Sequence, residues 1–117
     1  MPADFSVEIT DTSSPNAKIV ALKGELDESV LDDLKAQLDP IWNDANIQTF
    51  IFNLHDLEFI NSKGIGFLVS VHSHLAKDKR HLVIADAQEA VMDVVSLVGL
   101  TSIIPYHATL DEAIASL

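Results

Sequence analysis

Thr49-Phe50-Ile51-Phe52-Asn53-Leu54-His55-Asp56-Leu57-Glu58-Phe59-Ile60-Asn61-Ser62-Lys63-Gly64-Ile65-Gly66 is the stretch that decides the fold. Its first six residues are apolar and β-prone, and they read as a buried strand. After Ser62, apolar Ile65, Leu68, Val69, Leu75 and Ala76 recur at helical spacing, with His72 among them. The segment from Asp56 to Gly66 is then a strand-to-helix corner, and Ser62 falls where a helix N-cap is expected. Free backbone N–H groups and the positive end of the helix dipole suit an anion or a phosphoryl group there. Ser62 reads as a switch residue; as a cap alone it would contribute about 1 kcal/mol.

The flanking sequence repeats the strand–helix pattern. Upstream, Phe5–Ile9 alternates as a half-exposed strand, Ser13–Asn16 is a turn cluster and Lys18–Leu22 is a second strand. Val30, Leu31, Leu34, Leu38, Ile41 and Trp42 form one helical face, capped by Asp27 or Ser29, with Pro40 expected to end or bend it. Downstream come the basic turn Lys77–Arg80 and a strand at His81–Ala85. A capping box at Asp86 and Glu89 would open a helix with Ala90, Val91, Val94, Val95 and Val98 inward, closed by Gly99. A short strand is expected at Thr101–Ile104, then a helix capped by Thr109 and Glu112 with Leu110, Ala113, Ile114 and Leu117 inward. Such alternation predicts one α/β domain: a mixed, mostly parallel sheet of about five strands with about four helices.

Composition narrows the function classes. With 117 residues, 48% hydrophobic and 21% charged, the chain reads as one globular domain. No apolar run approaches the roughly 20 residues of a membrane-spanning helix, and Met1–Asp4 lacks the regions of a signal peptide. The absence of cysteine excludes thiolate metal sites and fits a reducing cytosol. A net charge of −11 disfavours nucleic acid and anionic membranes. Acidity of this kind is mostly a solubility device, and where it serves binding a folded protein with a basic face is the natural complement.

No catalytic constellation appears. The five histidines (55, 72, 74, 81 and 107) lack a metal-ligand spacing, and no Gly-rich phosphate loop occurs. Asp56 and Glu58 read as carboxylates of a solvated turn, and Ser62 has no histidine near it in sequence. Gly64 and Gly66 each cost roughly 0.5–1 kcal/mol in a helix, so either close packing or an approaching partner must offset them. If Ile65, Leu68 and Leu75 face the sheet, Gly64, Phe67 and Val71 line the opposite side, either as a docking strip or as a face covered by neighbouring helices.

Asp56–Gly66, with Gly24-Glu25-Leu26-Asp27 upstream and Gly99-Leu100 downstream, resembles a STAS domain of the anti-sigma factor antagonist (anti-anti-sigma factor) family across nearly the whole chain. The resemblance implies a single STAS domain over residues 1–117 with no cofactor. In that family the serine in the place of Ser62 is phosphorylated by a partner that is both anti-sigma factor and serine kinase. The unmodified form sequesters that partner and frees the sigma factor; the phosphorylated form lets go until a PP2C-type phosphatase restores it. By that likeness Ser62 is the phosphorylation site and Asp27, Asn61, Lys63, Gly64 and Phe67 bind the partner. Two positions depart from the pattern: Asn61 stands where Asp is usual, and Lys63 where a small residue is common. A STAS subunit of a lipid ABC transport complex is the alternative, and a small enzyme with Ser62 as nucleophile a remote third.

Overall fold

The central strand of the computed structural model, which describes residues 5–117, is longer than its apolar run. It is β3 (Thr49–Ile60), with β1 (Ser6–Asp11) and β2 (Ala17–Leu26) as a hairpin on one side. On the other side lie β4 (His81–Ala85), at its expected bounds, and β5 (Tyr106–His107). The order is β1-β2-β3-β4-β5, antiparallel between β1 and β2 and parallel elsewhere. The four helices are α1 (Leu31–Trp42), α2 (Ser62–Lys77), α3 (Glu89–Leu97) and α4 (Leu110–Ala115). The architecture is the expected mixed α/β domain. The signal-peptide reading at Met1–Asp4 lies outside the described residues.

β3 runs through the expected corner because β2 runs beside it. Register slips between Ala21 and Lys23 and between Gly24 and Glu25, then continues to Leu26 opposite Ile60. Gly24 takes φ +102° at the second slip, a conformation open to glycine at little cost. The bulges bury Leu57 and Ile60 at a spacing of three and leave Asp56, Glu58 and Phe59 in solvent. Asp56 and Glu58 therefore stand on a strand, not in a loop.

Val20, Leu22, Phe50, Phe52, Leu82 and Ile84 belong to the large core shared with the buried residues of α1, α2 and α3. Ile19, Ile51, Val83 and Ala85 pack on the other face against Ala113 of α4. The face of α2 differs from the expected one. Gly64, Phe67 and Val71 are buried with Leu68 and Leu75, so they are not an outward strip. Spacings of three and four residues give the same stripe that a helix needs to lie on a sheet. The cause is Gly64: a Cβ there would stand 2.7 Å from the Leu26 carbonyl oxygen and 2.7 Å from Ile60 Cγ1. The first turn of α2 rests directly on the end of β2.

Other boundaries moved for local reasons. Pro40 lies inside α1, exposed in its last turn; it has no N–H for the carbonyl four residues back, and the helix ends two residues beyond it. Asp86 forms no capping box. It sits at φ +60° with its carboxylate 3.3 Å from His55 Nδ1, and Gln88 precedes α3 without a side-chain cap. Val91 and Val95 are buried, whereas Ala90 and Val98 are exposed. Gly99 closes α3 at φ +74° as expected. Leu100 and Ile104 are buried at helical spacing, so a 3₁₀ turn (Leu100–Ser102) replaces the expected strand, and β5 begins after Pro105. Thr109 Oγ1 accepts the Glu112 N–H at 3.1 Å, but Leu117 faces solvent.

Arg80 belongs to the core, despite its place in the basic turn. Its Nε donates to Ile47 O at 2.8 Å, Nη1 and Nη2 to Trp42 O at 3.0 and 2.9 Å, and Nη2 to Asp44 O at 3.1 Å. The guanidinium carbon lies 5.4 Å from the Phe50 ring centroid. It ties the C-terminal end of α1 and the following loop to the start of β4, in a geometry that lysine cannot reproduce.

Arg80→Met is expected to lose about 3 kcal/mol in urea unfolding, because the carbonyls keep their burial and lose charged donors; Arg80→Lys should recover less than half. A loss under about 1 kcal/mol would contradict this. The two helix glycines should respond with opposite signs. Gly64→Ala is expected to destabilise by about 2 kcal/mol through overlap with backbone. Gly66→Ala, with no atom within 4 Å of its Cβ, should gain about 0.5–1 kcal/mol of helix propensity. Equal effects at the two sites would refute the close contact.

Candidate functional site

The parallel ladder brings the site together. Leu26 and Ile60 are the last paired residues of β2 and β3, so Asp27 and Asn61 leave the sheet side by side. The Asn61 N–H then donates to Leu26 O at 3.3 Å. Asp27 turns the chain into the 3₁₀ turn Glu28–Val30, accepting from the Ser29 N–H at 2.9 Å and from the Ser29 hydroxyl. Its carboxylate caps this turn rather than α1, which starts after Val30 without a side-chain cap.

Asn61, not Ser62, is the N-cap of α2. Its Oδ1 accepts from Lys63 N–H at 3.1 Å and Gly64 N–H at 3.0 Å. Asn caps about as well as Ser, and the extended backbone of Asn61 (φ −112°, ψ −174°) is the one a cap needs. Two of the first-turn donors are therefore already satisfied, and the helix end is not a row of open amides. Ser62 becomes the first helical residue, exposed and free of capping duty.

Ser62 stands at the lip of an open groove between α1 and α2, lined by Leu31, Lys35, Lys63, Gly66, Phe67 and Ser70. Lys63 is exposed, and Lys35 reaches the same groove from α1. These two cations line the same groove as the serine, in a chain with only 7 Lys and Arg against 18 Asp and Glu. Sequence reading missed Lys35, because only the packing of α1 on α2 brings it to the serine. Phe67, at 4% exposure, belongs to the groove wall, its ring 6.5 Å from that of Trp42. Gly64 is buried beneath the first turn. Neither is exposed as an outward strip would require, though Phe67 still lines the groove. Gly66, by contrast, is open to an approaching backbone.

The histidines do not assemble. His74 stacks on Trp42 at 4.8 Å and His55 faces Asp86. Among the described residues no group of three His, Asp or Glu side chains is placed to hold a metal ion. No helix among them is long and apolar enough to cross a membrane.

Comparison with known proteins finds chains of the same fold. An anti-sigma F factor antagonist of Paenibacillus polymyxa is 25% identical over 89 residues, which is 76% of each chain. The crystal structure of an anti-sigma factor antagonist from Mycobacterium paratuberculosis superposes with a TM-score of 0.87 at 22% identity, over 99% of this chain and 96% of that one. SpoIIAA, an anti-sigma factor antagonist solved in its unphosphorylated form, gives 0.76 at 23% identity over 97% and 95% of the two chains. The phosphorylated Bacillus form gives 0.70 at 22% identity over 97% and 98%. These structural likenesses establish the shared fold. The STAS domain family model matches residues 8–113, nearly the whole of the described chain and all of the serine corner, and so the chain belongs to the STAS domain family.

Proposed function

We propose that this protein is an anti-sigma factor antagonist, working in the cytosol as a phosphorylation-controlled binding module and not as an enzyme. Unmodified, it binds and sequesters an anti-sigma factor that is also a serine kinase. That kinase moves the γ-phosphoryl group of ATP onto Ser62 Oγ, the bond to the β-phosphate breaking to release ADP and the hydroxyl proton passing to the kinase, and the complex separates. A PP2C-type phosphatase hydrolyses the ester and returns the serine with inorganic phosphate. The observation that carries this reading is the placement of Ser62: exposed, first in α2, and relieved of capping by Asn61. The names of the relatives agree with it.

The switch follows from charge and bulk. Phosphate adds about −1.5 to −2 charge at neutral pH, and the N-terminal end of a helix tolerates it. Asn61 is neutral, so the phosphate meets no carboxylate in the cap beside it. Lys63 and Lys35 supply counter-charge from the groove. The fold therefore keeps its shape, and docking is what fails. A partner backbone laid over Ser62 and Gly66 has no space for a phosphoryl group, and closing over it would bury an incompletely paired charge.

Ser62→Asp is expected to keep its melting temperature within about 4 °C, roughly 1 kcal/mol, and to weaken binding to the captured kinase about 100-fold or more, some 2.7 kcal/mol. Ser62→Ala should bind and accept no phosphate. Titration calorimetry with the protein that wild type captures from its source lysate checks both. A folded Ser62→Asp that binds as wild type does would contradict the switch, and capture of transporter subunits would move the domain to the transport reading.

A further inference from the structure

One side chain near Ser62 has no structural explanation. Phe59 is 46% exposed, the only aromatic among the exposed large hydrophobic residues of the described chain. It lies on the part of β3 that projects past β4, whose pairing with β3 ends at Asn53 and Ala85. Its neighbour in register on β2 is Glu25, which is exposed, as are Asp56 and Glu58 along β3. Lys23, in register with Asp56, is the one cation on this stretch of the two strands. At a strand rise of about 3.3 Å per residue, Phe59 and Ser62 are separated by roughly 10 Å along the chain. Phe59 alternates with Ile60, which packs in the core beneath α2, so its ring leaves the sheet on the opposite face, and a partner that touches both Phe59 and Ser62 straddles the end of the sheet.

We infer that Phe59 is the apolar anchor of the partner interface, and that the partner presents an apolar pocket rimmed by lysine and arginine. This inference rests on the reading of Ser62 as the switch. Interfaces concentrate their energy in a few desolvated aromatic anchors surrounded by polar residues. Phe59 with Glu25, Asp56 and Glu58 has that composition, and the carboxylates select the charge of the rim. The roles divide by step. The carboxylates steer a basic partner during encounter, Phe59 holds it once docked, and Ser62 decides whether docking closes. The core has no use for the phenyl ring, because Leu57 and Ile60 on the same strand already fill it. A basic partner does not turn the phosphate into an attraction at Ser62, since the rim faces Glu25 and Glu58 and the serine meets close-packed backbone.

The test uses the protein that wild type retains and Ser62→Asp loses, purified and measured by surface plasmon resonance against the full chain. Phe59→Ser is expected to fold normally, because the ring is half in solvent, and to raise the dissociation constant at least tenfold, mainly through faster dissociation. Phe59→Tyr should bind within about threefold of wild type. Glu58→Gln should slow association by about two- to threefold at low salt, an effect that fades as ionic strength rises. Leu97, 87% exposed at the far end of α3, is the control, and Leu97→Ser should change nothing. Phe59→Ser binding within twofold of wild type, while Ser62→Asp fails, would overturn the inference and leave the switch standing. If no retained protein depends on Ser62, the switch reading falls, and the inference with it.

Discussion

The contact between Gly64 and the carbonyl oxygen of Leu26 is the constraint on which the site depends. Any side chain at position 64 would put a carbon 2.7 Å from that oxygen, well inside van der Waals contact. Glycine lets the first turn of α2 settle on the end of β2, and the settled turn fixes everything around it. It rotates Phe67, Leu68 and Val71 into the core. It brings the Asn61 N–H onto Leu26 O and leaves Ser62 facing out. Arg80 secures the other end of the same layer by tying the exit of α1 to β4. Between these two anchors α1 and α2 lie side by side, and their groove carries Lys35 and Lys63 to the serine.

A serine held this way suits a switch that acts on recognition rather than on shape. The cap is already complete without its hydroxyl, so modification removes no hydrogen bond from the helix end. The neutral cap and two nearby lysines keep a phosphate from straining the fold. The same phosphate is costly wherever a second protein must exclude water from the serine. A rigid scaffold with a chemically changeable surface point is thus sufficient, with no second conformation.

Much of this was legible in the sequence, and the misreadings have physical causes. Alternating strands and helices gave the order of elements, and Gly99 and Thr109 marked helix ends where local chemistry alone decides. The serine corner stood out by its glycines. The length of β3 was hidden because two bulges replace its period of two with a spacing of three at Leu57 and Ile60. The face of α2 was misread because Ile65, Phe67, Leu68, Val69 and Val71 are apolar on several sides, and only the depth of Gly64 breaks the tie. Asn61 and Ser62 are equivalent caps on paper; the end of the β2–β3 ladder selects Asn61. Arg80 looked like surface charge, since its acceptors at positions 42, 44 and 47 lie far away in sequence. Phe59 was passed over because the stretch that carries it read as a corner and not as strand.

The central claim is that modification of Ser62 changes what the domain binds and not how it is folded. The most direct measurement is amide hydrogen exchange and partner binding on the protein carrying phosphoserine at position 62, set against the unmodified chain. The account predicts unchanged protection along β2, β3 and β4, altered exchange confined to the start of α2 and the facing turn of α1, and loss of binding. Loosened central strands, or a phosphorylated protein that still holds its partner, would contradict it.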